Sequence, residues 1–359
     1  MSFSKKIITW YGEHQRALPW RGISDPYRIW LSEIILQQTR IEQGMDYYLR
    51  FCREYPTVHQ LAQASEEQVL KSWQGLGYYS RARNLHAAAQ YIEDELCGMF
   101  PDTYKDVLKL KGVGRYTAAA IVSFAFRQPY PVIDGNVYRF ISRLYGIFTP
   151  VGNDRAYNEF EALLMRLIDH DRPDLFNQAI MDFGSMYCKP VGCDCEHCIF
   201  SQECVAHRTG QVSLLPVKSM APKKKDRYFY YFDIRFRHVE DGDRVPGREY
   251  LYLRQRSEKD IWKGLFEFPL MEMEHPIPQS RMADTLRKHL ESLTGAGADR
   301  VCVSNEYIHK LTHRTIHAIY YSAFFDKEVP CRDEKSFRIA ADELGKYPVS
   351  RLIDRYLEK

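Results

Sequence analysis

Along the first 210 or so residues, apolar positions recur at intervals of three and four. Tyr27, Trp30, Leu31, Ile34 and Ile35 fall on one helical face behind Asp25-Pro26. Asp there serves as cap, and Pro takes the first helical position, where its missing N–H is not needed. The same period runs through Glu66–Trp73, Ala82–Leu96, Val137–Leu144, Ala156–Ile168 and Leu175–Met186, with few alternating segments between them. Residues 1–212 therefore read as all-α. The pattern then breaks. Residues 213–227 lack periodicity and carry Pro216, Pro222 and the run Lys223-Lys224-Lys225. They read as an interdomain linker, either a solvated tether or a segment that brushes phosphates. Phe232–Arg237 alternates with period two, which predicts a half-buried strand. Glu249–Gln255 and Thr315–Phe325 predict further strands, and Met282–Leu293 and Ser350–Leu357 predict helices. The chain is thus expected to be multidomain, an all-α domain followed by an α+β domain over 228–359, with no internal repeat.

A length of 359 residues agrees with two domains, and an apolar share of 45% excludes a disordered chain. The net charge of +3 does not by itself announce a nucleic-acid partner, so any basic surface must be local. The 25 tyrosines suit base stacking and ordinary packing equally. The polar start Met1-Ser2-Phe3-Ser4-Lys5-Lys6 lacks a signal peptide's apolar core, and no span reaches transmembrane length. A cytoplasmic, reducing location with no membrane partner is expected. There, nine cysteines do not form a disulfide framework, and five of them crowd into 188–204.

Cys188, Cys195, Cys198 and Cys204 form C-x6-C-x2-C-x5-C, in which only Cys195/Cys198 is a close pair. Structural zinc normally takes two close pairs. Four thiolates in one short irregular loop suit a [4Fe–4S] cube, each iron taking one sulfur. A zinc knuckle is the alternative that the spacing leaves. Cys193 breaks the pattern and reads as a bystander, and Cys52, Cys97, Cys302 and Cys331 as ordinary cysteines.

Three more features carry chemistry. Gly112-Val113-Gly114 sits between helical stretches, permitting a tight hairpin that presents backbone N–H groups at the next helix start. That is a phosphate site, or simply a structural αα-hairpin. Asp134 precedes a helix running to about Tyr145, as a plain N-cap or as a carboxylate kept ionised by the helix dipole. Glu33 has Ile29, Trp30 and Leu36 as helical neighbours. It either snorkels to water or is desolvated, with its pKa raised. One carboxyl biased neutral and one biased ionised is the division that a general acid and an electrostatic stabiliser require.

The hairpin, the aspartate about twenty residues on and the four-cysteine loop together resemble the helix-hairpin-helix DNA glycosylases, and specifically the MutY adenine glycosylases. Trp30-Leu31-Ser32-Glu33-Ile34-Ile35-Leu36-Gln37-Gln38-Thr39 looks like that family's catalytic helix, and Gly75-Leu76-Gly77-Tyr78-Tyr79-Ser80-Arg81-Ala82-Arg83-Asn84 like its duplex-wedging loop. Trp262-Lys263-Gly264-Leu265-Phe266-Glu267-Phe268-Pro269 resembles the start of its Nudix-like C-terminal module. No Arg-Glu…Glu-Glu run follows it, so pyrophosphate hydrolysis is not expected.

The resemblance implies a helix-hairpin-helix glycosylase domain with a [4Fe–4S] loop at 188–204 held by Cys188, Cys195, Cys198 and Cys204. It implies a duplex kinked around Gln38 and Tyr78 and gripped by Gly112, Val113 and Gly114, and an adenine flipped out opposite 8-oxoguanine or guanine. Glu33 would protonate adenine N7, Asp134 would stabilise the oxocarbenium-like state, and Tyr116 and Asn136 would orient them. Leu311-Thr312-His313 stands where the family reads the lesion with Phe-Ser-His; threonine keeps the hydroxyl and leucine replaces the ring. These three also fit the end of a strand. Relatives resembling endonuclease III carry a lysine where Tyr116 stands. A tyrosine cannot form a Schiff base, so base removal without strand cleavage is implied. Lys109 and Lys111 lie on the hairpin's other arm. A monomer acting on nucleoid DNA is expected. The competing readings are a bifunctional glycosylase/lyase on oxidised pyrimidines, a non-catalytic DNA-binding protein, and a Nudix hydrolase with a helical accessory domain.

Overall fold

The computed structural model describes residues 1–219, 224–237, 248–257 and 260–358. Part of the expected linker, residues 220–223, lies outside the described residues. The three-and-four spacing is realised as helices that include Phe3–His14, Pro26–Leu36, Ile41–Glu54, Glu66–Ser72, Ser80–Leu96, Arg115–Phe126, Gly135–Tyr145, Asp154–Leu167 and Pro173–Met186. Asp25 caps Pro26–Leu36 as its sequence suggests, its carboxylate accepting from the Tyr27 and Arg28 N–H groups.

The chain divides into two units, Met1–Gln63 with Asn84–Ala221, and Ala64–Arg83 with Pro222–Lys359. This division differs from the sequential one at 212. Ala64–Arg83 joins the second unit through side chains that reach far along the chain. Lys71 Nζ donates to Tyr347 O (3.3 Å), Gln74 Nε2 to Asp354 Oδ1 (3.2 Å) and Arg83 Nη1 to Lys263 O (2.6 Å). The start of the expected linker is also fixed within the first unit. Leu215 is buried, Val217 O accepts from Val151 N (2.9 Å) and Leu215 O from Arg143 Nε (3.1 Å).

The first unit's core gathers Ile7 and Trp10 of the first helix, Val137, Phe140 and Ile141 of Gly135–Tyr145, and Phe176, Ile180 and Phe183 of Pro173–Met186. Helices Pro26–Leu36 and Arg115–Phe126 also pack together, with Gln37 Nε2 donating to Thr117 Oγ1 (3.1 Å). Those contacts set the backbone from which the site projects.

Among the described residues the second unit holds a mixed sheet of eight strands: β1 Lys225–Arg237, β2 Glu249–Gln255, β3 Phe266–Glu267, β4 Leu270–Met273, β5 Arg300–Val303, β6 Tyr307–Lys310, β7 Arg314–Phe325 and β8 Ser336–Ala340. The path runs β3-β2-β1-β7-β5, with β4 on β1, β6 on β7 and β8 on β2. β1 and β7 pair in parallel and every other pair is antiparallel. Helix Gln279–Thr294 packs Leu286 and Leu290 against one face, and helix Arg351–Leu357 packs Leu352 and Ile353 against the other. β1 is therefore buried on both faces, which corrects the half-buried expectation. Phe229 and Tyr231 enter one core while Tyr230, Phe232, Ile234 and Phe236 enter the other. Its polar alternation is kept by pairing rather than by water. Buried Asp233 is held by Arg235 Nε (2.9 Å) and the Tyr356 hydroxyl (2.7 Å), as a central strand covered on both sides demands.

Candidate active site

Eight of the eleven residues of Pro26–Leu36 are buried, and Glu33 is among them. It does not snorkel. Burial pushes its carboxyl up from 4.5 to about 7, against the pull of the Tyr116 hydroxyl that donates to it and of the Arg21 guanidinium. Tyr116 lies in the first turn of Arg115–Phe126. Burial beside Glu33 and Asp134 raises its phenol well above the ordinary value, so it stays a neutral donor.

Asp134 caps Gly135–Tyr145, accepting from Val137 N at 2.7 Å and from Asn136 Nδ2 at 2.7 Å. A Cβ on Gly184 would stand 2.6 Å from Asn136 O, so only glycine lets Pro173–Met186 approach this helix start. Asp134 is the N-cap that its sequence suggests, and burial pushes its carboxyl up from the ordinary value while those hydrogen bonds pull it down. Desolvation of a charge here exceeds what one helix end returns. Asp134 accepts more hydrogen bonds than Glu33, and each of them favours its charged form.

Sequence reasoning missed a buried charge cluster beside Glu33. Fully buried Asp182 pairs with Arg16 and, at 3.2 Å, with Arg21. Arg16 Nε, Arg21 Nε and Nη1, and Asp182 Oδ2 are buried without a hydrogen-bond partner among the described residues. Buried polar atoms left open in this way are what a planar ligand with donor and acceptor edges would satisfy. The signal was present in the sequence. Asp182 interrupts an apolar helix face between Ala179 and Met186, as Glu33 interrupts its own.

The hairpin forms as expected. Gly112 takes φ +82, where a Cβ would also meet Asn84 Cβ at 2.7 Å. Val113 is buried, and Gly114 precedes Arg115–Phe126 without a side-chain cap, leaving first-turn N–H groups open. Gln38 and Tyr78 are exposed and hold left-handed backbone at φ 56 and φ 47. Such conformations cost about 1–3 kcal/mol each and concentrate at functional positions. In the second unit Arg81 lies over the Trp73 and Tyr78 rings at 5.1 and 5.5 Å, bracing Tyr78. The Tyr78 hydroxyl meets Thr312 Oγ1 at 2.9 Å. Leu311, Thr312 and His313 form the turn between β6 and β7, closed by Leu311 N to Arg314 O (2.8 Å). Leu311 packs on the core while Thr312 and His313 are exposed. Two of the three are available for contact.

Cys188, Cys195, Cys198 and Cys204 line one open cavity, and so does Cys193. Among the described residues no three His, Cys, Asp or Glu side chains converge on a single ion. Donors also face the sulfurs. Arg143 Nη1 reaches Cys188 Sγ at 3.4 Å, and Phe200 N reaches Cys198 Sγ at 3.4 Å. This donor set fits a negatively charged cluster bound by thiolates. A hydrogen-bonded chain also runs from the cysteine loop to the aspartate. Arg139 donates to Cys188 O (2.8 Å) and to Asn136 Oδ1 (2.8 Å), and Asn136 donates to Asp134.

Comparison with known proteins gives the family. Residues 31–169 match the HhH-GPD superfamily of base excision DNA repair proteins, and residues 245–359 match the NUDIX domain. Among similar curated proteins, an adenine DNA glycosylase of Rattus norvegicus is 39% identical over 92% of this chain and 72% of its own. One of Buchnera aphidicola subsp. Baizongia pistaciae is 31% identical over 88% and 84%. A solved thermostable thymine-DNA glycosylase is 28% identical with a TM-score of 0.54, covering 58% of this chain and 95% of that one. A non-covalent endonuclease III–DNA complex, 22% identical with a TM-score of 0.51 over 58% and 94%, shares the helical fold. The chain is a DNA glycosylase of base excision repair and belongs to the adenine DNA glycosylase family, joining a helix-hairpin-helix unit to a Nudix-like one.

Proposed function

We propose that the protein removes adenine mispaired with 8-oxoguanine or guanine, leaving an abasic site without cleaving the strand. The observation that carries this reading is Glu33, a buried carboxyl held near pH 7 within reach of a tyrosine and an aspartate. A general acid poised there is half protonated at neutral pH. In the flipped-out state Glu33 gives its proton to adenine N7, and the glycosidic electrons pass into a base made neutral by that proton. Asp134 faces the oxocarbenium-like sugar that remains, held in place by Asn136 and the Val137 N–H. The unpartnered edges of Arg16, Arg21 and Asp182 supply donors and an acceptor for the purine. Glu33 then takes a proton from the incoming water. Gln38 and Tyr78 probe the stack, and Gly112, Val113 and Gly114 hold a phosphate through backbone N–H groups. Tyr78 and Thr312, joined by a hydrogen bond, support the reading of 8-oxoguanine, with His313 beside them.

Cys188, Cys195, Cys198 and Cys204 would hold a [4Fe–4S] cluster, which supplies structural order to residues 188–204 and no step of base removal. A monomer working in the cytoplasm on nucleoid DNA completes the reading.

The test is single-turnover incubation with a duplex carrying one adenine opposite 8-oxoguanine, resolved on a gel with and without alkali. Breaks only after alkali are expected. Breaks without alkali would restore the lyase reading, and none in either lane a non-catalytic one. In the same assay Thr312→Val should narrow the preference for 8-oxoguanine over guanine by about two- to tenfold, the worth of one hydrogen bond. An unchanged preference would remove Thr312 from lesion reading.

A further inference from the structure

The cluster reading uses four of five loop thiols, and the fifth is not a bystander in space. Cys193 lines the same cavity as the other four. Exposure alternates through this stretch: Gly192, Asp194 and Glu196 are exposed, whereas Cys193 and Cys195 are partly buried. Both thiols turn to the cavity. Their sulfurs stand 3.5 Å apart. Arg143, itself buried, donates to Cys193 Sγ at 3.8 Å with the same Nη1 that reaches Cys188 Sγ at 3.4 Å. Cys193 thus shares a guanidinium with an expected ligand. Gly192, just before it, holds left-handed backbone at φ +69, which sets the turn that brings Cys193 to the cavity. The other expected ligands are tied separately, Cys198 Sγ by the Phe200 N–H and Cys204 by its bond to Arg143 O at 3.4 Å.

We propose that Cys193 and Cys195 are alternative ligands to one iron, either thiolate completing the set with Cys188, Cys198 and Cys204. This rests on the [4Fe–4S] reading above. The exchange forms one iron–sulfur bond and breaks another at unchanged oxidation level. The proton lost by the incoming thiol goes to the departing thiolate. Capping or oxidation of one of the two thiols then leaves the cluster in place.

The experiment is iron and acid-labile sulfide per chain, with visible absorbance, on full-length protein purified without air. Wild type, Cys193→Ala, Cys195→Ala, Cys195→Ser, the Cys193→Ala/Cys195→Ala double variant and Cys198→Ala are compared. Both single changes at 193 and 195 should keep about four irons per chain. The double variant and Cys198→Ala should lose the four-iron absorbance by about tenfold or more. Loss in both Cys195→Ala and Cys195→Ser to the level of the double variant overturns the proposal, as does a double variant that keeps its four irons. Wild-type protein without iron or sulfide would instead sink the cluster reading itself, a separate outcome.

Discussion

Glu33→Gln separates the burial of this carboxyl from its chemistry. Glutamine approximates the neutral acid in shape. The folded carboxyl is held near pH 7 against 4.5 when free. Its folded-state pKa is raised, so its contribution to stability is fully present below the free value and is lost as pH rises through about 7. At about 1.36 kcal/mol per pH unit of difference, the wild type loses about 1 kcal/mol at pH 5 and about 3 kcal/mol at pH 8. Glutamine loses none of this. Relative to wild type, the variant should therefore gain about 2 kcal/mol between pH 5 and pH 8. In thermal unfolding that is a relative gain of roughly 4–8 °C, at about 2–4 °C per kcal/mol for a unit of 150–250 residues. The assay is urea unfolding of both proteins at the two pH values, followed by far-UV circular dichroism. A difference between them that stays constant with pH would refute the buried, neutral carboxyl. Excision by the variant should fall by about 10²–10⁴ while duplex binding holds, since the group acts on the bond and not on the backbone. Retained excision would remove Glu33 from the chemistry even if the stability result stood.

Tyr116→Phe removes the hydroxyl that lowers the Glu33 pKa, so the alkaline limb of the excision–pH profile should move to higher pH. Movement to lower pH would contradict the hydrogen bond. Asp182→Ala leaves Arg16 and Arg21 without their carboxylate and should cost about 3 kcal/mol of stability. It also frees Arg21 to act on Glu33, so the same alkaline limb should move down, and an unmoved limb would place Arg21 outside the acid's field.

How much of this was legible in the sequence depended on how far each signal reaches. Helix periods, the Asp25-Pro26 start, the Asp134 cap and the glycine hairpin are local. Each is set by residues within a few positions of one another, so sequence located the helices it named to within two or three residues, while Ile41–Glu54 and Arg115–Phe126 were not delimited. The cysteine spacing likewise marked its loop, and Glu33 was visible as a carboxylate on an apolar stripe. Whether that carboxylate snorkels was decided only by what covers it, because desolvation depends on neighbours brought from elsewhere. The same cover pushed Asp134 up, where the local cap argument pointed down. β1 carried an alternating pattern, yet its polar side is buried because Tyr356 and Glu249 arrive from remote segments to satisfy Asp233 and Arg235. Glu66–Trp73 looked like any other helical stretch and residues 75–84 like a DNA-facing loop, and only partners at Lys263, Tyr347 and Asp354 assign Ala64–Arg83 to the second unit. Cys193 was out of pattern by count and within the cavity by geometry. Sequence alone determined most of the elements, the likeness to a family and the candidate reactive groups, since backbone propensity and side-chain chemistry travel with the residue. Tertiary structure decided their protonation, their partners and the space between their sulfurs, since electrostatics and packing belong to the neighbours.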